Sequence, residues 1–419
     1  MKRQLEILFV FMLIIISLKF FDARFLNESI LNYLLFLTLI AVVIVSVPFV
    51  VPTNKGFVFP VQLLLGSITF SIIMAGLFWD QSLLDSLIAT APYLIFCFFF
   101  YLMHIKFPVN LMEKIIVIYG ILYILLYTFE FINSPTVFFG KSLWGDEYLE
   151  SRGIVRIIFP GGGVFILTTF IAINKLTSQK KNRLLWLLLA AAGLVIPLMQ
   201  VTRQFIAGVL LIFLYHFVKT LSLAKKVMIL VSFLAIIFIL LDAESPVIMG
   251  LIDSTRSDAS LGGDYIRVLA GEYFLTDFSP NRITQFFGNG VSYSGVSDFG
   301  FYVDMLGSTQ NYFLSDVGII AVYAMFGVSA IIAYLLIWIK SFTIPLPEEF
   351  QYLKYYLWFM LLTSFTWYTT YHYHYLVTTV YVLYMYQAIY SRKKEEVEAL
   401  TRKSANLLVE DKINIISNE

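Results

Sequence analysis

DAESPVIMGLIDSTRSDASLGGDYIRVLAGEYFLTDFSPNRITQFFGNGVSYSGVSDFGFYVDMLGSTQ, Asp242–Gln310, separates two long apolar regions and then runs into NYFLSDVGII. It mixes acids, arginines, glycines and aromatics, and it is long enough to build an aqueous site of its own. The rest of the chain reads differently. Of 419 residues, 59% are hydrophobic and only 14% charged, with a mean hydropathy of +0.81. Soluble globular domains do not combine so much apolar side chain with so little charge. The expected fold class is therefore an all-α polytopic membrane protein with one long, partly helical loop. A net charge of +1 gives no reason to expect nucleic acid as a partner. The single cysteine, Cys97, lies in PYLIFCFFFYLM, which excludes an intrachain disulfide and reads as a small core residue.

Working outward from the loop, apolar runs long enough to cross a bilayer as helix occur at Leu5–Phe21, Ile30–Val51, Phe57–Phe78, Leu83–Met103, Ile115–Ile132, Ile157–Ile173, Leu184–Val201, Phe205–Val218 and Val227–Leu241. Three more follow at Tyr312–Ile339, Tyr355–Tyr368 and Tyr373–Tyr390, giving about 12 transmembrane helices. The organisation is thus nine spans over 1–241 with an outer loop at 133–156, the large loop 242–311, three spans over 312–390 and a charged tail over 391–419. The first span follows MKRQ with no small-residue cleavage pattern after it, so it reads as a helix that is retained.

Charge sets the orientation. With the amino terminus inside, each inner connection holds a cation, among them Lys55, Lys106, Lys114, Lys175, Lys180, Lys181, Lys219, Lys225, Lys226, Lys340 and Lys354. The outer segments hold Arg24, Lys141, Arg152, Arg156, Arg203, Arg256, Arg267 and Arg282. The positive-inside rule then puts both termini in the cytoplasm and the loop outside. Seven of those eight outer cations are arginine, whereas the inner ones are mostly lysine. Topology needs only charge; arginine's planar fork adds bidentate contact to phosphate or carboxylate. Either the outer arginines pair with local acids, of which the loop has nine, or they share an anion site.

Smaller features point to the same side of the membrane. SRGIVRIIFPGGGVF places Arg152 and Arg156 four apart, on one helix face if that turn is helical, ahead of a glycine run that suits either close helix packing or amide contact to an anion. QVTRQF sets Arg203 at a short outer turn. In GGDYIRVLAGEYFL, Asp264 is placed to cap a helix whose apolar stripe is Ile266, Leu269, Ala270 and Tyr273, leaving Arg267 off the stripe at headgroup depth.

In this order the features resemble the O-antigen polymerase (Wzy) and ligase family of bacterial envelope glycan assembly. The matching pieces are RGIVRIIFPGGG, TRQ, Arg267 heading a loop helix, the GNG turn and QNYFLSDVGII, spread over roughly residues 150–330. Arg152 and Gly163, with ten residues between them, are similar to an Arg-to-Gly pattern of some polymerases. The resemblance implies a glycosyltransferase C-like architecture in the bacterial inner (plasma) membrane with the active site on its outer face. It implies a polymerase of lipid-linked repeat units for O-antigen, capsule or a related surface polysaccharide. The nascent glycan passes from a polyprenyl pyrophosphate carrier to a sugar hydroxyl of the next lipid-linked unit. Its partners would be the polyprenyl-pyrophosphate-linked oligosaccharide, membrane lipid and a chain-length-regulating membrane protein, with no cofactor and no metal.

Under that chemistry Arg203 and Arg267 are the first candidates for the donor pyrophosphate, with Arg152 and Arg156 next and Arg282 behind them. Ligase relatives carry a histidine where this chain has Gln310 before Asn311, and glutamine is no general base; the pair reads as substrate-binding. The base stays open among Asp264, Glu272, Asp277, Asp298, Asp304 and Asp316. His372 and His374 in YTTYHYHYL are expected, as histidines, to titrate near neutrality and sit among tyrosines that suit either a sugar ring or an interfacial belt. His104 and His216 read as interfacial. Two alternatives are an O-antigen ligase or other lipid-linked glycan transferase, and a flippase or other transporter. The second would show related halves and ionisable residues deep in spans, and neither is evident. The tail from Ser391 reads as a charged helix with Glu–Lys pairs.

Overall fold

The computed structural model describes residues 2–50, 53, 55–140, 147–148, 150–151, 154–220 and 246–417. The first half holds α1 (Lys2–Ser17), α2 (Glu28–Ser46), α3 (Val58–Trp79), α4 (Leu83–Thr90), α5 (Phe98–Ile105), α6 (Val109–Asn133), α7 (Gly162–Ser178), α8 (Arg183–Met199) and α9 (Arg203–Thr220). The second half holds α10 (Pro246–Leu261), α11 (Ile266–Thr276), α12 (Arg282–Phe287), α13 (Asp298–Gln310), α14 (Ile319–Thr343), α15 (Tyr352–Thr363) and α16 (Tyr373–Ser417). Among the described residues, six segments are long and apolar enough to cross a membrane: Arg3–Asp22, Glu28–Phe49, Val58–Trp79, Leu83–Ile105, Val109–Asn133 and Ile319–Thr343; α7 and α8 are shorter apolar helices. The expected span Val227–Leu241 lies outside the described residues.

Two helices form the centre. Every residue from Gly162 to Asn174 in α7 is buried, and so is every residue from His374 to Gln387 in α16. Helices apolar on all sides belong inside a bundle, and these two pack on each other, ringed by α6, α8, α15 and α1. Their crossing explains the glycine run. A Cβ on Gly163 would lie 2.9 Å from the His374 carbonyl oxygen and 3.0 Å from the Tyr375 Cα, so only a glycine lets the backbones approach this closely. The run serves packing; its neighbours leave no room for an anion.

At one end of the bundle, the loop end, α3, α8 and α15 finish, α9 and α14 begin, and α10–α13 gather over them. At the far end a buried ion pair ties α6 to α7, with Lys175 Nζ 3.0 Å from Glu113 Oε1 and the Tyr352 hydroxyl donating to Glu113 Oε2 at 2.6 Å. His216, expected at an interface, is instead buried between Thr177 (2.9 Å) and Tyr355 (3.0 Å). The tail continues α16, and Lys394 lies 4.0 Å from Glu398 one turn on.

Three boundaries depart from the apolar pattern. The span expected from Ile157 begins at Gly162, because Pro160 disfavours helix in the residue before it and Gly161 takes φ +115°. The residues before it form a two-residue antiparallel ladder, β1 (Glu150–Ser151) with β2 (Ile154–Val155). The chain before Arg156 is therefore strand and not the expected helical turn, as the β-branched Ile154 and Val155 favour. The span expected from Tyr312 begins at Ile319, after Gly318 turns the chain at φ +56°.

That span, α14, is also broken. Gly327 adopts φ +76°, ψ −177°, and a Cβ there would lie 2.2 Å from the Phe286 carbonyl oxygen. The segment after α12 fills the break. Asn289 donates its backbone N–H (3.0 Å) and its Nδ2 (2.8 Å) to the Ala324 carbonyl, and the Gly290 N–H donates to Met325 at 2.9 Å. Trp79 Nε1 in turn donates to Asn289 Oδ1 at 3.0 Å. Residues 286–290 thus enter the bundle beside α3 and α14 as a re-entrant turn, with the N–H groups of Gly288, Asn289 and Gly290 and the Phe286 carbonyl bonded within the protein, as irregular chain at such depth requires.

A second irregularity follows α1. Lys19, Phe20, Phe21 and Asp22 all have φ between 49° and 60°, a left-handed turn costing about 1–2 kcal/mol per residue. Side chains hold it in place. Phe21 is buried edge-to-face on Phe159, Lys19 lies 5.2 Å from the centre of the Tyr373 ring, and the Tyr373 hydroxyl donates to Asp22 at 2.7 Å.

Candidate anion site at the loop end

The site begins with the turn that starts α9. Gln200 ends α8, Val201 takes φ +53°, an uncommon conformation for a β-branched residue, and Arg203 opens α9. Arg156 fastens this turn from outside: its Nε donates to the Gln200 carbonyl at 3.1 Å and its Nη2 to Thr202 Oγ1 at 3.3 Å. Arg203 reaches away toward α10. Its Nη1 donates to Thr255 Oγ1 at 2.8 Å and its Nη2 pairs with Asp258.

Beyond α10 the chain bends through Gly262–Asp264 into α11, and Arg267 in its first turn lies 3.5 Å from Asp316, which stands on a single turn just before α14. Between the pairs sits Tyr265. Its hydroxyl donates to Asp258 at 3.4 Å. Burial raises that hydroxyl above its ordinary pKa, while Arg267 and Arg203, both within electrostatic reach, pull it down. Tyr368, likewise, lies within electrostatic reach of both Arg156 and Asp316. Arg203, Arg267 and Asp258 thus act electrostatically on Tyr265, and Arg156 and Asp316 on Tyr368, five charged groups with a formal sum of +1 (three cations less two anions). The side chains of both ion pairs are 28–37% exposed, so solvent and ligands can reach them.

An aromatic floor positions α11 and α13. Trp79 stacks on Phe299 (4.5 Å between ring centres) and Phe278 (5.5 Å), and Tyr273 packs on Phe274 and Tyr312 while its hydroxyl meets that of Tyr302. This block rotates α11 relative to the expected stripe. Ala270, Gly271 and Phe274 are buried, whereas Ile266 is 37% exposed. Gly271 meets Ile320 of α14, and that partner, distant in sequence, chooses the buried face.

Among the described residues, the remaining candidates form no ion pair with these groups. Asp264 is exposed and does not cap α11, whose N-cap is Tyr265 without a side-chain bond. Gln310 and Asn311 are exposed and form the left-handed end of α13, with Asn311 at φ +57°. Arg282 is exposed at the start of α12. Arg152 lies outside the described residues.

His372 and His374 sit next to Tyr368, with ring centres at 4.4 and 6.2 Å. Burial, reinforced by Lys19, pushes His372 down to about 3, so its imidazole is neutral near pH 7. His374 is buried, and it helps line a cavity of about 10 Å³ with Tyr123, Gln200, Thr202 and Tyr375, room for a single water beneath Arg156. Asp258, Thr255, Tyr265 and Tyr368 were not singled out from sequence; the one available signal was that nine acids in the loop face only three arginines.

The chain matches no family model and no curated protein. Two arginines latched by partly exposed carboxylates can exchange those carboxylates for a more highly charged anion such as pyrophosphate, to which the guanidinium fork is matched.

Proposed function

We propose that the protein is a membrane glycosyltransferase that polymerises lipid-linked oligosaccharide repeat units on the outer face of a bacterial plasma membrane, with both termini cytoplasmic. The observation that supports this best is the meeting of Arg203 and Arg267, from separate helices, around Tyr265, with Arg156 fastened to the turn that starts α9. Pyrophosphate is already a competent leaving group, so the protein has to neutralise its growing charge and orient the acceptor. Arg203 and Arg267 take the pyrophosphate oxygens, and Arg156 adds positive potential beside them.

The same exchange yields a base. When pyrophosphate takes the arginines, Asp258 and Asp316 are released next to the reacting centre. The acceptor hydroxyl oxygen bonds to the anomeric carbon and the bond from that carbon to the phosphate oxygen breaks. The pyrophosphate leaves with the electron pair on its carrier, and the hydroxyl proton passes to the freed carboxylate. Asp316 is the better placed of the two, because Tyr368 and the histidine pair lie on its side of the site. Gln310 in place of a histidine favours polymerase over ligase.

The test is deletion of the gene in its own host, with complementation by wild type, Arg203→Ala and Arg267→Ala at matched membrane expression, and gel analysis of surface glycan. Collapse of a repeat ladder to a single capped unit, restored by wild type alone, is the expected result. Long polymer left on its carrier would instead identify a ligase, and single lipid-linked units gathering on the cytoplasmic side would identify a flippase.

A further inference from the structure

Polymerisation of this kind needs two lipid-tethered substrates at once, and the arginine cluster accounts for one. A second feature lies between α3 and α14, on the far-end side of α12: a cleft of about 640 Å³. Its walls are Phe59, Gly66 and Phe70 of α3 and Ile332 of α14, and its roof is Phe286 and Phe287 of the re-entrant segment. Phe59, Phe70, Phe286 and Ile332 are each 41–49% exposed, so the cleft opens sideways from the bundle, where a membrane would supply hydrocarbon.

Thr53, Gln62, Ser67 and Ser329 also line the cleft, and Thr53 Oγ1 accepts from the Lys55 N–H at 3.3 Å. The Ser67 and Ser329 hydroxyls lie 2.8 Å apart, and Ser329 donates to the Phe286 carbonyl at 3.1 Å. A guest there meets mostly apolar surface. On α12, Arg282 precedes Phe286 by four residues and so shares its face. Arg282 is exposed and forms no ion pair among the described residues. A single cleft beneath an unpaired cation suits an amphiphile with one hydrocarbon chain and an anionic head. A two-chain phospholipid would need a second slot.

We propose that this cleft seats the polyprenyl chain of the acceptor carrier, with Arg282 on its phosphate. The proposal rests on the polymerase reading, which supplies the need for a second lipid-linked unit. Methyl-branched, unsaturated chain packs on the four phenylalanine rings, and the missing side chain at Gly66 makes the space for it. The roof belongs to the same loop that carries Arg267, so the two carriers are held by one continuous segment.

Gly66 also provides the test, because a Cβ added there meets nothing within 4 Å. Gly66→Trp should fill the cleft without disturbing the fold, with Gly66→Ala as the control. The probe is a C55 polyprenyl phosphate offered to the protein in nanodiscs, counted by native mass spectrometry. In an Arg203→Ala/Arg267→Ala background one polyprenyl phosphate should still bind; adding Gly66→Trp should weaken it at least tenfold, and Arg282→Ala should weaken it less.

A diazirine-bearing polyprenyl phosphate should label peptides containing Phe70 or Phe286 in wild type, a readout that does not depend on the tryptophan variant folding. Undiminished binding by Gly66→Trp, labelling elsewhere, or equal displacement by dioleoylphosphatidylglycerol would overturn the proposal. These outcomes are separate from the surface-glycan ladder: persistence of the ladder without the gene sinks the polymerase reading whatever the cleft binds.

Discussion

Arg203 and Asp258 should respond oppositely to mutation if the pair is a latch for an anion, and alike if it is a structural tie. The two side chains are each 29% exposed, and partly exposed pairs contribute only about 0.2–1 kcal/mol to a fold. Arg203→Ala should therefore shift Tm by no more than about 2–4 °C. Its effect on a pyrophosphate ligand should be larger, since a hydrogen bond to a charged group is worth about 1.5–3 kcal/mol, or roughly 10- to 150-fold in affinity. Asp258→Asn removes the competitor and should tighten binding by what the latch was worth, about 1.5- to 5-fold. The assay is titration of farnesyl pyrophosphate onto purified protein by calorimetry, beside a melting curve for each variant. Equal weakening by both variants, or wild-type affinity in a well-folded Arg203→Ala, would refute the latch.

Three further outcomes follow from the geometry. Gly163→Ala forces a Cβ to 2.9 Å from the His374 carbonyl and should cost about 1–3 kcal/mol, read as a lower melting temperature; an unchanged melt would mean α7 and α16 can separate. His372 has a folded pKa of about 3, below its ordinary value, so the stability it permits is complete above about pH 6.5 and is lost as pH falls toward 3. His372→Gln should then flatten the decline in Tm between pH 6.5 and 4 and leave any acid limb of activity in place; disappearance of a limb near pH 6.5 would make His372 the base. Ser260→Cys, at an exposed position in α10, should react with an impermeant thiol reagent in intact cells, and reaction only after lysis would reverse the orientation.

Hydropathy located the helices well because a membrane-type span is written in consecutive residues. What it missed depends on partners far away in the chain. The face that α11 buries is set by Ile320 and the Trp79 block, neither of which lies within the helix's own window. The break at Gly327 is invisible inside an unbroken apolar run, because its cause is the approach of Phe286 and Asn289. Nothing in LKFFD announces a left-handed turn, since no glycine or asparagine stands there and tertiary contacts to Tyr373 and Phe159 hold it. For the site, arginine over lysine was legible as a chemical preference across seven outer arginines, with Arg203 and Arg267 ranked first, Arg152 and Arg156 next and Arg282 behind them. That Arg156, Arg203 and Arg267 are each engaged by a specific partner, and that Tyr265 and Tyr368 lie within their electrostatic reach, required the fold.

The capping of α14 by Asn289 and Gly290 bears on how such a protein can be rebuilt. The loop supplies hydrogen bonds that the spanning helix lacks, so it cannot be treated as a detachable recognition module. A chimera that exchanged the loop for another protein's would strip donors from Ala324 and Met325, and bare carbonyls at that depth cost several kcal/mol each. Swaps should keep residues 286–290 together with the native α14, or transplant both, and confine novelty to α10, α11 and α13.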